Sequence, residues 1–259
     1  MDSGKIGKLV PLQSKYTDFD FAELQNDPQF PIYVALAVIF VTVFISLTTL
    51  LCKKGSRRQA VLICGPCDSG KTLLFSQLLH KTKIETFTSM KENVGVLDIP
   101  ENRKKPVVID LPGHERIRYK CLDNQKESAM GIIYVLDAAT ITKGIRDATE
   151  FLFRILSDPS IHSNRTPILV ICNKQDMTLA KGSKVIQREL AKEIGLLRDT
   201  QAGTLQGTDG STLDHIFLGK QGRDFDFYDL KASVEFCETS VVDDENLDIV
   251  QNWISSLPR

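Results

Sequence analysis

Residues 60–74 read AVLIC-GPCDSGKT-LL, and this stretch decides the fold. Ala60 to Cys64 is a short, wholly apolar run of the kind found in buried parallel strands. Gly65-Pro66-Cys67-Asp68-Ser69-Gly70-Lys71-Thr72 then matches G-x-x-x-x-G-K-[ST], and Lys71 to His80 follows as a helix with Leu74, Leu78 and Leu79 on one side. Each part of the motif has a physical purpose. Gly65 and Gly70 let the backbone turn tightly around phosphate oxygens. The backbone N–H groups of the loop point inward and make an anion-binding concavity, reinforced by the helix N-terminus. Lys71 neutralises the β- and γ-phosphates, and the Thr72 hydroxyl ligates Mg²⁺.

Working outward, strands and helices alternate. Val94 to Ile99, Pro106 to Ile109, Gly131 to Leu136, Ile168 to Cys172 and Val234 to Cys237 read as strands. Ile145 to Leu156, Val185 to Leu197 and Leu247 to Leu257 read as helices. The pattern predicts a doubly wound α/β domain with a mostly parallel sheet flanked by helices. Residues 199–224, rich in Gly, Thr and Asp, are expected to form a long polar loop before the last strand.

Further elements follow the phosphate loop in chain order. Asp110-Leu111-Pro112-Gly113 comes after the second of the two strands at 94–109. A carboxylate there can hold the hydration shell of Mg²⁺, and the Gly113 N–H can approach a γ-phosphate. Asn173-Lys174-Gln175-Asp176 follows the strand ILVIC. The Asp176 carboxylate can accept from guanine N1–H and the N2 amino group together, whereas adenine offers neither donor at that edge. Asn173 is expected to tie this loop to the phosphate loop, and the Lys174 stem to cover one face of the base. A switch hydroxyl completing the Mg²⁺ sphere is expected among Thr86, Thr88 and Ser89, with Thr88 the first choice and Thr86 the second. His114 stands where Ras-like proteins place a glutamine that orients the attacking water. It is the candidate catalytic residue, and hydrolysis by the isolated domain is expected to be slow. Together these motifs predict a P-loop small-GTPase fold that binds GTP or GDP with Mg²⁺.

Cys64-Gly65-Pro66-Cys67 also spells C-x-x-C, a redox signature when it stands alone. Here the phosphate loop already accounts for the spacing. The six cysteines are scattered, mostly in apolar runs, which fits a reducing compartment. The net charge of −1 gives no basic surplus, so direct nucleic-acid binding is not expected.

Pro31 to Cys52 contains no charged residue. At ~1.5 Å per residue it makes a helix of roughly 33 Å, enough to cross a bilayer core. Lys53, Lys54, Arg57 and Arg58 follow at once, so the positive-inside rule places the C-terminal part in the cytosol and residues 1–30 in a lumen or outside. Asp2 and the terminal Ser-Leu-Pro-Arg match neither a myristoylation nor a prenylation signal, leaving the span as the expected anchor. The predicted organisation is a lumenal segment 1–30, a transmembrane helix 31–52, a basic flank 53–58 and a GTPase domain 59–259.

The assembled motifs resemble the beta-subunit family of the signal recognition particle receptor. The resemblance rests on the N-terminal span, GPCDSGKT (65–72), TFTSM (86–90), DLPGHER (110–116), NKQD (173–176), the polar loop, LGKQGRDFDF (218–227) and VEFCETS (234–240). It implies an Arf- and Sar-like fold and an endoplasmic reticulum membrane. It also implies GTP-dependent binding of the receptor's alpha subunit and delivery of ribosomes to the translocation channel. In the family the last guanine loop reads Ser-Ala-Lys; here Ser240 stands, but Val241 and Val242 replace the other two. The Val241 N–H is expected to reach the guanine carbonyl. Two other readings stay open: a constitutive membrane anchor whose nucleotide never turns over, and another membrane-anchored Arf-like GTPase.

Overall fold

The computed structural model describes residues 29–52, 58–83, 89–98, 105–205 and 216–258. It divides into two units, Met1–Gly55 and Ser56–Arg259. In the first unit, helix α1 (Phe30–Cys52) is apolar on every side. Its Pro31–Thr48 window has a mean hydropathy of 2.3, so by length and composition it can cross a membrane.

The second unit is built on a six-stranded sheet. Its strands are β1 (Ala60–Cys64), β2 (Asn93–Val96), β3 (Val107–Asp110), β4 (Ala129–Asp137), β5 (Ile168–Asn173) and β6 (Val234–Glu238). They lie in the order β2-β3-β1-β4-β5-β6, with β2 antiparallel to β3 and every other pair parallel. The helices are α2 (Lys71–His80), α3 (Glu115–Gln125), α4 (Ile141–Leu156), α5 (Pro159–Ser163), α6 (Ser183–Leu205) and α7 (Leu247–Ser256). Successive side chains of a strand point to opposite faces, and both faces are covered. Leu62, Tyr134 and Val170 pack with Phe151, Leu152 and Ile155 of α4 and Ile186, Leu190 and Ile194 of α6. Val61, Ile63 and Ile133 pack with Leu74 and Leu78 of α2 and Val250, Trp253 and Ile254 of α7. The direction of chain progression reverses at β1, so the β1 C-terminus opens into the crevice where such sheets bind ligands.

Several elements differ from the sequence expectation, the short helix α5 among them. The β2 strand stops at Val96, and Ile99 lies outside the described residues. Helix α6 runs on to Leu205, so the first part of the expected 199–224 loop is helical. Thr200 joins it by donating its hydroxyl to the Leu196 carbonyl, and Gln201 and Ala202 suit a helix. Residues 206–215 of that loop lie outside the described residues. Helix α3 was not expected. Its buried positions are Arg118 and Leu122, and an arginine on the inner face erases the apolar periodicity that reveals a helix. Arg118 makes a two-pronged ion pair with Asp147 of α4 at 3.0 and 2.6 Å. Its guanidinium also lies 4.7 Å from the centroid of the Phe151 ring.

On β2, Val94 and Val96 face solvent, 62% and 56% exposed, at the sheet edge. Phe151, by contrast, is fully buried between the rings of Tyr119 and Tyr134, at 5.4 and 5.9 Å. Phe151→Ala is expected to cost about 3–5 kcal/mol of unfolding free energy, read by urea denaturation. Replacing the exposed Tyr228 with alanine should leave the midpoint unchanged.

Candidate functional site

The phosphate loop joins β1 to α2 in a conformation that needs its glycines. Gly65 has φ +143°, and a Cβ there would lie 2.2 Å from the Val135 carbonyl oxygen. Gly70 has φ +93°, and a Cβ would lie 2.3 Å from Nδ2 of Asn173. Ser69 closes the turn by donating its hydroxyl to the Pro66 carbonyl at 3.0 Å. Lys71 is buried, and its ammonium donates to the same carbonyl and to Oγ of Ser69. Burial pushes the Lys71 ammonium below its ordinary value, while the Asp110 carboxylate works in the opposite direction. Gly113 approaches so closely that a Cβ would stand 2.7 Å from the Lys71 amine and 2.9 Å from the Cys67 nitrogen. The loop after β3 therefore meets the phosphate loop at its amine.

Asp110, at the end of β3, is completely buried. Its Oδ2 accepts from the Thr72 hydroxyl (2.8 Å) and from Nδ2 of Asn93 (3.0 Å). Its Oδ1 is buried with no hydrogen-bond partner among the described residues. Burial pushes this carboxyl up, and the bonds from Asn93 and Thr72 and the charge of Lys71 oppose the shift. The Thr72 hydroxyl also lies 3.2 Å from Oγ of Ser89. An orphaned carboxylate oxygen beside two hydroxyls is an all-oxygen donor set, which fits Mg²⁺. Thr86 and Thr88 lie outside the described residues. Asn93 escaped the sequence reading because it opens a half-exposed strand with no motif of its own.

The Asn-Lys-x-Asp loop follows β5. Asn173 is buried; its Nδ2 donates to the Ser69 carbonyl at 2.8 Å. Its Oδ1 accepts from the Thr239 hydroxyl (3.3 Å) and the Val241 N–H (3.1 Å). This differs from the expectation for Val241, whose N–H is turned inward to satisfy a buried amide oxygen. Lys174 pairs with Asp137 at 2.8 Å. Burial raises the Asp137 carboxyl, but the bonds from Lys174 and Thr140 outweigh it and hold it below the usual range. Asp176 accepts from the Ser240 hydroxyl at 2.8 Å. Thr239, which the sequence reading passed over, is fully buried and links β6 to this network.

His114 is the N-cap of α3, its Nδ1 accepting from the Arg116 N–H at 3.3 Å. One ring nitrogen of the candidate catalytic residue is thus engaged by its own helix. Cys67 is exposed but Cys64 is buried, its thiol pushed up to about 12 mainly by burial, which suits packing rather than redox exchange. A separate groove between α6 and residues 224–228, lined by Lys184, Arg188, Leu196 and Tyr228, shares no residue with these loops.

A phosphate loop after β1, an acidic end to β3 and an Asn-Lys-x-Asp loop after β5, on this strand order, define a P-loop domain of small-GTPase fold. The Arl6 GTPase of Trypanosoma brucei shares that fold at 16% identity, with a TM-score of 0.51 over 75% of this chain and 94% of that one. A family model described as the signal recognition particle receptor beta subunit matches residues 56–234. The rat beta subunit is 38% identical over 226 residues, spanning 87% of this chain and 84% of the relative. The human one is 35% identical over 249 residues, spanning 93% and 92%. A structure of the mammalian receptor is 36% identical, with a TM-score of 0.68 over 77% of this chain and all of that one. The chain belongs to the family of signal recognition particle receptor beta subunits.

Asn173→Ala would strand the Ser69 carbonyl, the Thr239 hydroxyl and the Val241 N–H at once. It is expected to cost about 2–4 kcal/mol of stability even without nucleotide, measured by denaturation of the nucleotide-free chain.

Proposed function

We propose that this chain is the GTP-binding membrane subunit of the signal recognition particle receptor, holding the alpha subunit at the endoplasmic reticulum for co-translational targeting. The observation that carries the reading is the convergence of Gly113 and Asn173 on one loop of eight residues, Gly65 to Thr72, that itself carries Lys71. In this reading the backbone N–H groups of that loop and the Lys71 ammonium hold the phosphates. Thr72, with Ser89 beside it or with Thr88 or Thr86, would hold Mg²⁺, and Asp110 would orient its waters. Bound there, the ion supplies positive charge against the phosphate oxygens. A γ-phosphate would be met by Gly113 and Thr88, and ordering of those segments would make a surface for the alpha subunit. A receptor beta subunit of the same fold, from Chaetomium thermophilum, was solved as an SRb-GTP/SRX complex. Helix α1 anchors the chain, with Lys53, Lys54, Arg57 and Arg58 on the cytosolic side and residues 1–30 lumenal.

His114 favours a second reading, a constitutive anchor whose nucleotide is structural, because one of its ring nitrogens is already used by the α3 cap. Single-turnover hydrolysis with and without the alpha subunit separates the two.

The Asp176 carboxylate decides the base. Asp176→Asn is expected to weaken GTP binding by at least about tenfold and to favour xanthosine triphosphate; unchanged GTP affinity would refute the assignment. The partner is tested with the full chain in nanodiscs, loaded with GDP or a non-hydrolysable GTP analogue, against the N-terminal domain of the alpha subunit. Binding in the GTP form alone is expected. Equal binding in both forms would favour the constitutive anchor, and no binding in either would sink the partnership.

A further inference from the structure

The loop after β6 carries no Ala-Lys pair, yet it is tightly shaped. It doubles back through a bridge between Ser240 and Glu245. The Ser240 hydroxyl reaches Asp176 at 2.8 Å and accepts from the Asp243 N–H at 3.2 Å. Its tip turns through Asp244 at φ 61° and Asn246 at φ 60°, left-handed positions that Asp and Asn tolerate. Asn246 bonds back to the Glu238 carbonyl. Asn173 holds the base of the loop through the Thr239 hydroxyl and the Val241 N–H. The tip is tied to the domain by Asp244. Its Oδ1 accepts from Nε2 of Gln77 at 2.8 Å, and its Oδ2 lies 3.4 Å from the Lys83 ammonium. Gln77 is 5% exposed and sits in α2, the helix that opens with Lys71 and Thr72 of the phosphate loop. The Lys83 pair is half-exposed and screened, so the buried amide is the stronger of the two ties.

We propose that Gln77 and Asp244 form a brace that positions the Ser240–Glu245 loop against Asp176 and so sets how strictly the site selects guanine. The proposal rests on the guanine-nucleotide reading of this cleft and adds a pair of positioning residues to it. The Asp176 carboxylate separates guanine from other purines only if it is held at one angle. The Ser240 hydroxyl supplies that hold. Asn173 fixes the residues on either side of Ser240, and the Asp244 tie fixes the tip that is bridged to Ser240 through Glu245. Releasing Asp244 frees the tip and, through that bridge, loosens the register of Ser240 on Asp176.

The test uses the full chain in detergent micelles, with GTP and ITP titrated by calorimetry. ITP lacks the N2 amino group, so the ratio of the two affinities reads the Asp176 contact directly. Gln77→Glu sets one carboxylate against another. It is expected to weaken GTP binding by about tenfold while ITP binding changes by less than about threefold. Adding Asp244→Asn restores a hydrogen bond with its polarity reversed, because the new amide donates to the carboxylate introduced at position 77. The double substitution should bring the GTP-to-ITP ratio back within about threefold of the parent. Asp244→Gly keeps the left-handed turn but deletes the acceptor, so it should repeat the loss without charge repulsion. Asp244→Asn alone keeps an acceptor oxygen and should behave as the parent. If the parent binds both nucleotides alike, or neither, the guanine reading itself fails. If the parent discriminates and the variants keep its ratio, or the double substitution does not restore it, the brace is refuted; lower melting temperatures with an unchanged ratio would mark the pair as structural only.

Discussion

The phosphate loop and the loop after β6 are held in register by one buried amide. Asn173 ends β5, and its side chain faces two loops that are far apart in sequence. Its Nδ2 holds the phosphate loop through Ser69, and its Oδ1 holds the β6 loop through Thr239 and Val241. A buried amide must be satisfied, and here its satisfaction fixes the distance between the two loops. The constraint reaches back into composition, since the space that Nδ2 occupies is the space a Cβ at residue 70 would need. Gly70 is therefore required by a residue over a hundred positions away as much as by its own φ.

A second set of interactions controls what can move. His114 caps α3, and Arg118 in the next turn is tied to Asp147 of α4 and stacked on Phe151. Burial alone would lower the Arg118 guanidinium, but the bonds to Asp147 and Tyr119 prevail and keep it raised. The Asp110–Gly113 segment is thus strung between a buried strand end and a clamped helix.

The parts of this design that use small residues in fixed spacing could be read from the sequence. Gly65, Gly70, Lys71, Asn173 and Asp176 each announce themselves because few other residue types could meet their geometric demands. The fully apolar strands β4 and β5 were equally plain. What escaped was polar burial. Helix α3 hides behind Arg118, the tie from Asn93 to Asp110 has no local pattern, and Thr239 looks like any strand-end hydroxyl. The inward turn of the Val241 N–H depends on Asn173, sixty-eight positions earlier, and no window on the sequence contains both. Periodicity detects oil, and these contacts are hydrogen bonds across long separations.

Strand β2 has a consequence beyond this site. A protein confined to a membrane meets copies of itself far more often than one free in three dimensions, and an open strand edge invites them to pair. Here the edge is only four residues long, Asn93–Val96, with two outward valines. Lys91 and Glu92 precede it, and the Lys105–Asp98 ion pair stands at its other end. Charge at both ends and too few backbone groups between them leave a neighbouring copy little to add a strand to. On this side of the sheet, close packing of copies then need not add strands to β2.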